Sequence, residues 1–196
     1  MVTNQIILPP YLIEKIKSGT LTCEDVGYKD LDYSFIFDID APIGNGILRQ
    51  KIVKTCSWWL MTKNWIDWVK TVTEGKQVLE LCAGYGWLGN LLDNWVCTDI
   101  APKSPWVEKL NVTNAIKSID HDILFLAWPP YKSRFDCMAA RTGKPLILIG
   151  ESGGGCTGST KLWKEFNPIL AIDLYEFGDI PNWFGLHDRT WLVNWK

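Results

Sequence analysis

QVLELCAGYGWLGNLL, residues 77–92, has the pattern of a β-strand, a glycine turn and the start of a helix, in that order. An aliphatic run that contains one acid, Glu80, leads into the turn Gly84-Tyr85-Gly86, and apolar residues at helical spacing follow. The glycines let the backbone approach a ligand closely, and the N–H groups at the start of the new helix face that ligand. The stretch therefore predicts a nucleotide-type cofactor site.

The glycines alone leave the kind of cofactor open. Gly84, Gly86 and Gly89 have the G-x-G-x-x-G spacing of dinucleotide sites. Glu80, however, lies four residues before Gly84, so that the segment reads E-x-C-x-G-x-G. A carboxylate at that position would repel the pyrophosphate of a dinucleotide at short range. A third interpretation is an ordinary strand–helix unit that binds no ligand.

The E-x-C-x-G-x-G segment resembles motif I of the class I S-adenosylmethionine (SAM) methyltransferases. In that family the glycine loop wraps the methionine end of the cofactor, and the acid belongs to the hydrogen-bond network around it. The resemblance covers about residues 77–196 and implies a Rossmann-like α/β fold, with a seven-stranded, mostly parallel sheet, an antiparallel last strand and helices on both faces. The cofactor contacts that it implies come from Glu80, Cys82, Ala83, Gly84, Gly86 and Trp87.

A second cofactor signal is the acid in the next apolar run, Trp95–Ile100. Asp99 lies 19 residues after Glu80, and an acid about 20 residues beyond a glycine loop can accept both ribose hydroxyls of a nucleoside. Ile100 would then pack on the adenine. The alternative is a surface aspartate in a turn before Pro102.

Asn111-Val112 is a weaker signal. In the resembled family, the loop after the third strand often offers the adenine a polar residue and an apolar neighbour. Here the pair follows a segment around Val107–Leu110 that reads as helical, and it precedes Ala115–Ile119. A simple turn explains the pair equally well.

Trp128-Pro129-Pro130-Tyr131 follows a continuous apolar run, Ile123–Ala127. The run predicts a central parallel strand, and the prolines end it at its carboxyl tip, where open α/β sheets bind ligands. The tetrad resembles the catalytic [D/N/S]-P-P-[Y/F/W] motif of amino-group methyltransferases. In that family the first residue accepts hydrogen bonds from the target amine, the prolines fix backbone carbonyls, and the aromatic residue stacks on the target base.

The chain departs from that motif at its first position, where Trp128 replaces the polar residue. Indole only donates hydrogen bonds, so it cannot accept one from an amine. Three interpretations remain. The backbone carbonyls of Trp128 and Pro129 accept the amine, or the acceptor is not an amine, or the tetrad is a strand-ending turn without a catalytic role.

Glu151 is the next candidate, at the end of the apolar run Pro145–Ile149. It would stand beside the strand that carries Trp128, where a carboxylate can act as a general base or a substrate anchor. The loop that follows contains four glycines. Such a loop is mobile or approaches a ligand closely, but this one lacks the G-x-x-x-x-G-K-[ST] spacing of a phosphate-binding loop.

Residues 1–76 do not follow the alternation of strands and helices, and we expect them to form an N-terminal helical cap over the core of residues 77–196. Ile47–Val72 reads as a helix with Trp58, Trp65 and Trp68 on one face. That face either packs on the sheet or forms an aromatic wall for a flat substrate.

The other end of the chain, Leu170–Phe177 and Gly185–Trp195, predicts a closing hairpin. His187-Asp188 lies in the connecting stretch. Adjacent residues of a strand face opposite ways, so we expect this pair to cap a turn or strand rather than to form a catalytic pair.

The composition is that of a single folded domain with little net charge. At 196 residues, of which 47% are apolar and 21% charged, one core is expected. The net charge of −2 is not the footprint of a protein that binds long nucleic acid. The six cysteines lack zinc-site spacing, so no metal is expected. With neither a signal peptide nor a long apolar stretch, we expect a cytoplasmic protein with reduced thiols and no membrane partner.

The sequence thus predicts SAM-dependent methyl transfer to a small-molecule or modified acceptor. One alternative is a nucleic-acid base methyltransferase, for which basic residues such as Arg49 and Lys51 would line the mouth of the site. The other is a non-catalytic SAM-binding module whose cap contacts another protein.

Overall fold

The computed structural model describes residues 53–54, 57–59, 63–153, 155–175, 180 and 186–196. The strands formed within them are β1 (Val78–Leu81), β2 (Trp95–Asp99), β3 (Val107–Lys109), β4 (Ile123–Ala127), β5 (Leu146–Gly150), β6 (Ile169–Leu170) and β7 (Arg189–Val193). The α-helices bounded within the same residues are α1 (Lys63–Val72), α2 (Trp87–Leu91), α3 (Val112–Ser118), α4 (Phe135–Ala140) and α5 (Thr160–Glu165). A short 3₁₀ helix, Ala171–Asp173, follows β6.

The strands form one sheet in the order β3-β2-β1-β4-β5-β7-β6. Parallel pairing runs without interruption from β3 to β5. β7 lies between β5 and β6 and pairs antiparallel with both of them. The expected Rossmann-like α/β fold, with a mostly parallel seven-stranded sheet and an antiparallel last strand, is confirmed. The strand order reverses between β1 and β4, which is where open α/β sheets bind ligands.

Helices cover both faces of the sheet. Successive side chains of a strand point to opposite faces, so that Leu124 and Phe125 belong to different parts of the core. Phe125 packs in the cluster that contains residues of α1 and α2, and Leu124 packs in the cluster that contains residues of α3, α4 and α5. Burial on both faces explains the continuous apolar runs of β4 and β5 and the run of β1, in which Glu80 is the one polar residue.

The segment around Val107–Leu110, which the sequence pattern assigned to a helix, forms strand β3 instead. Of its three residues only Val107 is buried, so the segment carries too little apolar periodicity to separate a helix from a strand. Parallel pairing with Cys97–Asp99 of β2 fixes it in the sheet.

The helix predicted over Ile47–Val72 is not continuous. α1 begins only at Lys63, and Trp58-Trp59 form a bend before it. Trp65 lies on α1 and is fully buried against the sheet, where it packs on Phe125 with ring centroids 5.8 Å apart.

Most of the predicted N-terminal cap, including Arg49 and Lys51, lies outside the described residues. So does the centre of the C-terminal connection, residues 181–185. β6 and β7 pair antiparallel, as the hairpin prediction requires, but the first strand ends at Leu170, and Ala171–Asp173 of the predicted segment Leu170–Phe177 forms a 3₁₀ helix instead. Asp188 is buried immediately before β7.

No helix in the described ranges combines the length and the apolar character that crossing a membrane requires. In the same ranges, no group of three or more histidine, cysteine, aspartate or glutamate side chains is arranged to hold a metal ion. Cys82, Cys97 and Cys137 are free thiols.

Candidate functional site

A cavity of about 280 Å³ opens at the carboxyl ends of β1, β2 and β4. Its volume is near the lower end of the range for small-molecule sites. Residues proposed from the sequence that line it are Glu80, Cys82, Ala83, Gly84, Trp87, Asp99, Trp128 and Pro130. Strand tips that are distant in the chain therefore meet at the point where the strand order reverses.

Glu80 is a buried carboxylate on β1 that leans toward β2. Its Oε2 accepts hydrogen bonds from the indole of Trp95 at 2.9 Å and from the thiol of Cys97 at 3.1 Å. Burial raises the pKa of Glu80 from 4.5 to about 7; these two hydrogen bonds oppose the rise, and the nearby charge of Asp99 adds to it. A cation bound in the cavity would stabilise the ionised form of Glu80 and lower this pKa.

Asp99, at the end of β2, holds the glycine loop in place. Its Oδ2 accepts the Gly84 N–H at 2.9 Å, and its Oδ1 accepts the Ala101 N–H at 2.7 Å. Each carboxylate oxygen has a further lone pair, so both can also accept a ligand hydroxyl. Asp99 therefore combines the position expected of a ribose ligand with a role in shaping the loop.

The three glycines of the motif have different roles. Gly84 lines the cavity, has φ +58° and has open space where a Cβ would lie. Gly86 was expected to contact the cofactor, but it lies outside the cavity lining, and a Cβ there would be 2.4 Å from Cγ2 of Val107. A Cβ at Gly89 would be 2.6 Å from the sulfur of Cys97. Gly86 and Gly89 therefore allow the glycine loop and α2 to pack on β2 and β3.

Two non-glycine residues at neighbouring strand tips have left-handed backbone conformations. Cys82 follows β1 with φ +57°, and Trp128 follows β4 with φ +49°. Such a conformation costs a bulky residue on the order of 1–2 kcal/mol, and strain of this kind clusters at ligand sites. Both residues line the cavity, so the strain lies where a ligand would bind.

Trp58 and Trp128 both line the cavity and contact each other. The two rings stack with their centroids 5.6 Å apart and an interplanar angle of 18°. Trp58 is 49% exposed, whereas Trp65 and Trp68 are buried in the core. The two interpretations of the tryptophan pattern therefore apply to different residues: Trp65 and Trp68 pack on the sheet, and Trp58 lines the cavity.

The Trp128–Tyr131 tetrad is divided between the cavity and its support. Pro130 lines the cavity, but the carbonyl of Pro129 accepts the Gly158 N–H at 2.9 Å, which ties the tetrad to the loop after β5. An amine bound to that carbonyl would have to share it with this bond. Tyr131 is 62% exposed and lies outside the cavity lining.

Glu151, expected to act as a general base or anchor, also lies outside the cavity lining. Its Oε2 accepts the Cys156 N–H at 2.5 Å, and its Oε1 accepts the His187 N–H at 3.1 Å. A Cβ at Gly155 would be 2.4 Å from the Cβ of Glu151, so this loop glycine serves packing within the protein. The structure therefore does not bring Glu151 to the cavity: backbone N–H groups capture this carboxylate, and it holds the loop together.

The remaining adenine contacts expected from the sequence lie outside the cavity lining as well. Ile100 is 70% exposed. Asn111 is the N-cap of α3, where its side chain accepts the Asn114 N–H at 2.9 Å, and Val112 is buried in the core. Helix capping therefore accounts for Asn111, and core packing accounts for Val112.

Sequence reasoning missed a second set of lining residues, which are Val53, Ser57, Trp59, Tyr85, Leu88, Ala101, Lys103 and Ala127. Lys103 is the cation of this set. The ammonium group of Lys103 lies 5.0 Å from the ring centroid of Tyr85. The backbone N–H of Lys103 donates to the Gly84 carbonyl at 2.9 Å. Lys103 belongs to an irregular loop. Its closeness in sequence to the end of β2 was the one feature that could have indicated a place in the cavity lining.

The cavity has two chemically different ends. Both hydrogen-bond partners of the Glu80 carboxylate lie on β2, and Asp99 ends β2, so the acids lie on the β2 side of β1. Trp128 follows β4, on the opposite side of β1. We define the acidic end by Glu80, Gly84 and Asp99, and the aromatic end by Trp58, Trp128 and Pro130.

No protein-family model matches the chain, and no curated protein matches it. Among solved structures, the crystal structure of Thermoplasma acidophilum 1320 is similar, with 16% sequence identity and a TM-score of 0.40 over 77% of this chain and 95% of that chain. A likeness of this degree carries no argument about function. The fold assignment rests on the strand order and pairing described above.

Proposed function

We propose that this chain binds SAM and transfers its methyl group to a small-molecule or modified acceptor. The observation that supports the proposal most strongly is the meeting of Glu80, Gly84 and Asp99 at one end of a single cavity. These are the positions at which the resemblance to class I methyltransferases implies contacts to the methionine and ribose parts of SAM.

The charges around the cavity fit a cationic ligand. Among the described lining residues, the charged side chains are the carboxylates of Glu80 and Asp99 and the ammonium group of Lys103. SAM carries a sulfonium and an ammonium against one carboxylate, so its net positive charge is attracted by the acidic end. The pyrophosphate of a dinucleotide would instead be repelled by Asp99 and would raise the pKa of Glu80 further.

Bound SAM supplies an electrophilic methyl group, and the task of the chain is to hold the two reactants in line. Glu80 and Asp99 would hold the cofactor, and Gly84 would let the backbone approach it. The aromatic end would orient the acceptor. Orientation of this kind removes much of the entropic part of the barrier.

Methyl transfer is tested with SAM labelled in its methyl group and a panel of nucleosides, DNA, RNA, peptides and small heterocycles. The proposal predicts transfer of label to a small molecule. Transfer to DNA or RNA alone would favour the nucleic-acid alternative. SAM binding without transfer to any member of a broad panel would favour the non-catalytic module.

Replacing Asp99 with alanine is expected to weaken SAM binding about ten- to a hundred-fold, because a charged hydrogen-bond acceptor is lost. The variant also loses the two backbone hydrogen bonds to Gly84 and Ala101. Calorimetry with adenosine and with 2′,3′-dideoxyadenosine separates the two effects. Wild-type protein should prefer adenosine, and Asp99→Ala should bind both ligands equally.

Asp122→Ala is the matched control for this experiment. Asp122 also accepts a backbone N–H, that of Gln77 at 2.9 Å. It directly precedes β4, however, so it lies at the amino ends of the parallel strands, away from the cavity at their carboxyl ends. Its loss should lower stability without changing affinity for SAM. If Asp99→Ala retained wild-type discrimination between the two nucleosides, the ribose role of Asp99 would be refuted.

A further inference from the structure

The aromatic end of the cavity is built to present flat apolar surface. Trp128 has a left-handed backbone conformation at the tip of β4. Its backbone N–H donates to the carbonyl of Ile149 at 2.9 Å. Trp58 stacks on it at a centroid distance of 5.6 Å and is nevertheless half exposed. The planar ring of a ligand can stack on such a pair at little cost in free energy, because aromatic rings prefer offset stacking with their centroids about 4.5–7 Å apart.

The three described residues that define this end, Trp58, Trp128 and Pro130, carry no group that could take a proton. Among the described lining residues, the carboxylates belong to the acidic end, with Glu80 on β1 and Asp99 at the end of β2. Ser57 donates its hydroxyl proton to the Trp59 carbonyl. Cys82 lies between the two ends, and burial raises the pKa of its thiol to about 12, so it stays protonated at neutral pH. An acceptor that must lose a proton would find no base among the described residues of this end.

These two features together select one class of acceptor. Stacking on the tryptophan pair requires a planar ring, and the missing base requires a nucleophilic atom that carries no proton. A ring nitrogen of the pyridine type satisfies both conditions, since its lone pair lies in the ring plane and is free to react. The product would carry a positive charge, which the faces of Trp58 and Trp128 can stabilise.

We propose that the acceptor is a planar nitrogen heteroaromatic molecule that stacks on the Trp58–Trp128 pair and is methylated at a ring nitrogen. This inference rests on the proposed function. The ring nitrogen donates its lone pair to the methyl carbon as the carbon–sulfur bond breaks, and the bonding pair goes to sulfur. The positive charge moves from sulfur to the heterocycle, S-adenosylhomocysteine leaves as a neutral thioether, and no proton is released.

The stacking step is tested by binding alone, with isoquinoline as the planar probe and 2-decalol as a neutral, saturated bicycle of similar size. Calorimetry should show isoquinoline binding about ten-fold or more tightly than 2-decalol, and its proton resonances should shift upfield on stacking. Trp58→Leu should weaken isoquinoline about ten- to a hundred-fold, whereas Trp58→Phe, which keeps a ring, should stay within about three-fold of wild type. Trp58 is half exposed, so both variants should fold.

The methylation step is tested by mass spectrometry after incubation with SAM and either isoquinoline or 2-aminonaphthalene. The expected product is N-methylisoquinolinium. Equal affinity for isoquinoline and 2-decalol, or unchanged affinity in Trp58→Leu, would overturn the stacking site. Methylation of 2-aminonaphthalene alone would overturn the ring-nitrogen assignment. Failure of SAM to bind is a separate result that refutes the proposed function and the methylation step with it, whereas SAM binding without isoquinoline binding refutes this inference alone.

Discussion

Replacing Gly86 with alanine is expected to destabilise the protein by about 2–5 kcal/mol, the largest effect we predict for a single added methyl group. Gly86 has φ +64°, and the new Cβ would lie 2.4 Å from Cγ2 of Val107 and 3.1 Å from the Cβ of Cys97. The residue therefore incurs both a backbone cost and an overpacking cost. Urea denaturation gives the free energy of unfolding of the variant and of wild type.

Gly84→Ala is the matched control, because Gly84 has a similar φ of +58° but open space around its missing Cβ. It should cost only the backbone term, about 1–2 kcal/mol. The double variant Gly86→Ala/Val107→Ala should be less destabilised than the sum of its parts, since removing Cγ2 of Val107 relieves the closest contact. Equal costs at Gly84 and Gly86 would refute the packing role assigned to Gly86.

The Glu80→Gln variant is expected to become more stable relative to wild type as the pH rises. Burial raises the pKa of Glu80 from 4.5 to about 7. The protonated side chain therefore contributes fully to the stability of the folded protein below pH 4.5, and this contribution is lost as the pH rises through about 7. Glutamine does not titrate, and its oxygen can still accept from Trp95 and Cys97. The unfolding free energy of the variant minus that of wild type should therefore increase by about 2–3 kcal/mol between about pH 5 and about pH 8.

Glu165→Gln is the control for this measurement. Glu165 is an exposed residue of α5 that pairs with Arg141 and Lys161, and its hydrogen bond to Arg141 is the main cause of its lowered pKa. Its stability contribution is lost as the pH falls, so the difference from wild type should change little between about pH 5 and about pH 8. A flat difference for Glu80→Gln over the same range would contradict the elevated pKa of Glu80.

The central strands were predictable from the sequence, and the outer strands were not. β1, β4 and β5 are buried on both faces, so each appears in the sequence as an apolar run, which in β1 is interrupted by Glu80. β3 buries only Val107, and β6 has two residues, so neither produces a recognisable pattern. Their positions depend on pairing with strands that are already in place, which a local pattern does not encode.

The acidic end of the cavity was predictable for a similar reason. Glu80 and Asp99 lie at or near the ends of adjacent parallel strands, and the carboxyl ends of such strands meet at one edge. The same logic did not anticipate that Glu151 lies outside the cavity lining, because it ignores the backbone N–H groups of Cys156 and His187, which capture the carboxylate. Lys103 could not be assigned because it lies in a loop whose path depends on contacts such as the one to Gly84.

The aromatic end was only partly predictable. Periodicity placed Trp58 on the same helical face as Trp65, but the chain bends at Trp58-Trp59 and α1 begins after it. The bend turns Trp58 toward Trp128, a contact across 70 residues of sequence. A break in a helix without proline or glycine at the break leaves little trace in the sequence.

Calorimetric titration of the wild-type protein with SAM, and separately with NAD, tests the central proposal most directly. We expect SAM to bind and to be displaced by S-adenosylhomocysteine, and we expect NAD to produce no heat of binding. Asp99→Ala should weaken the SAM signal, which locates it in the cavity. Binding of NAD that is weakened by Asp99→Ala, together with no binding of SAM, would contradict the assignment of this cavity to SAM.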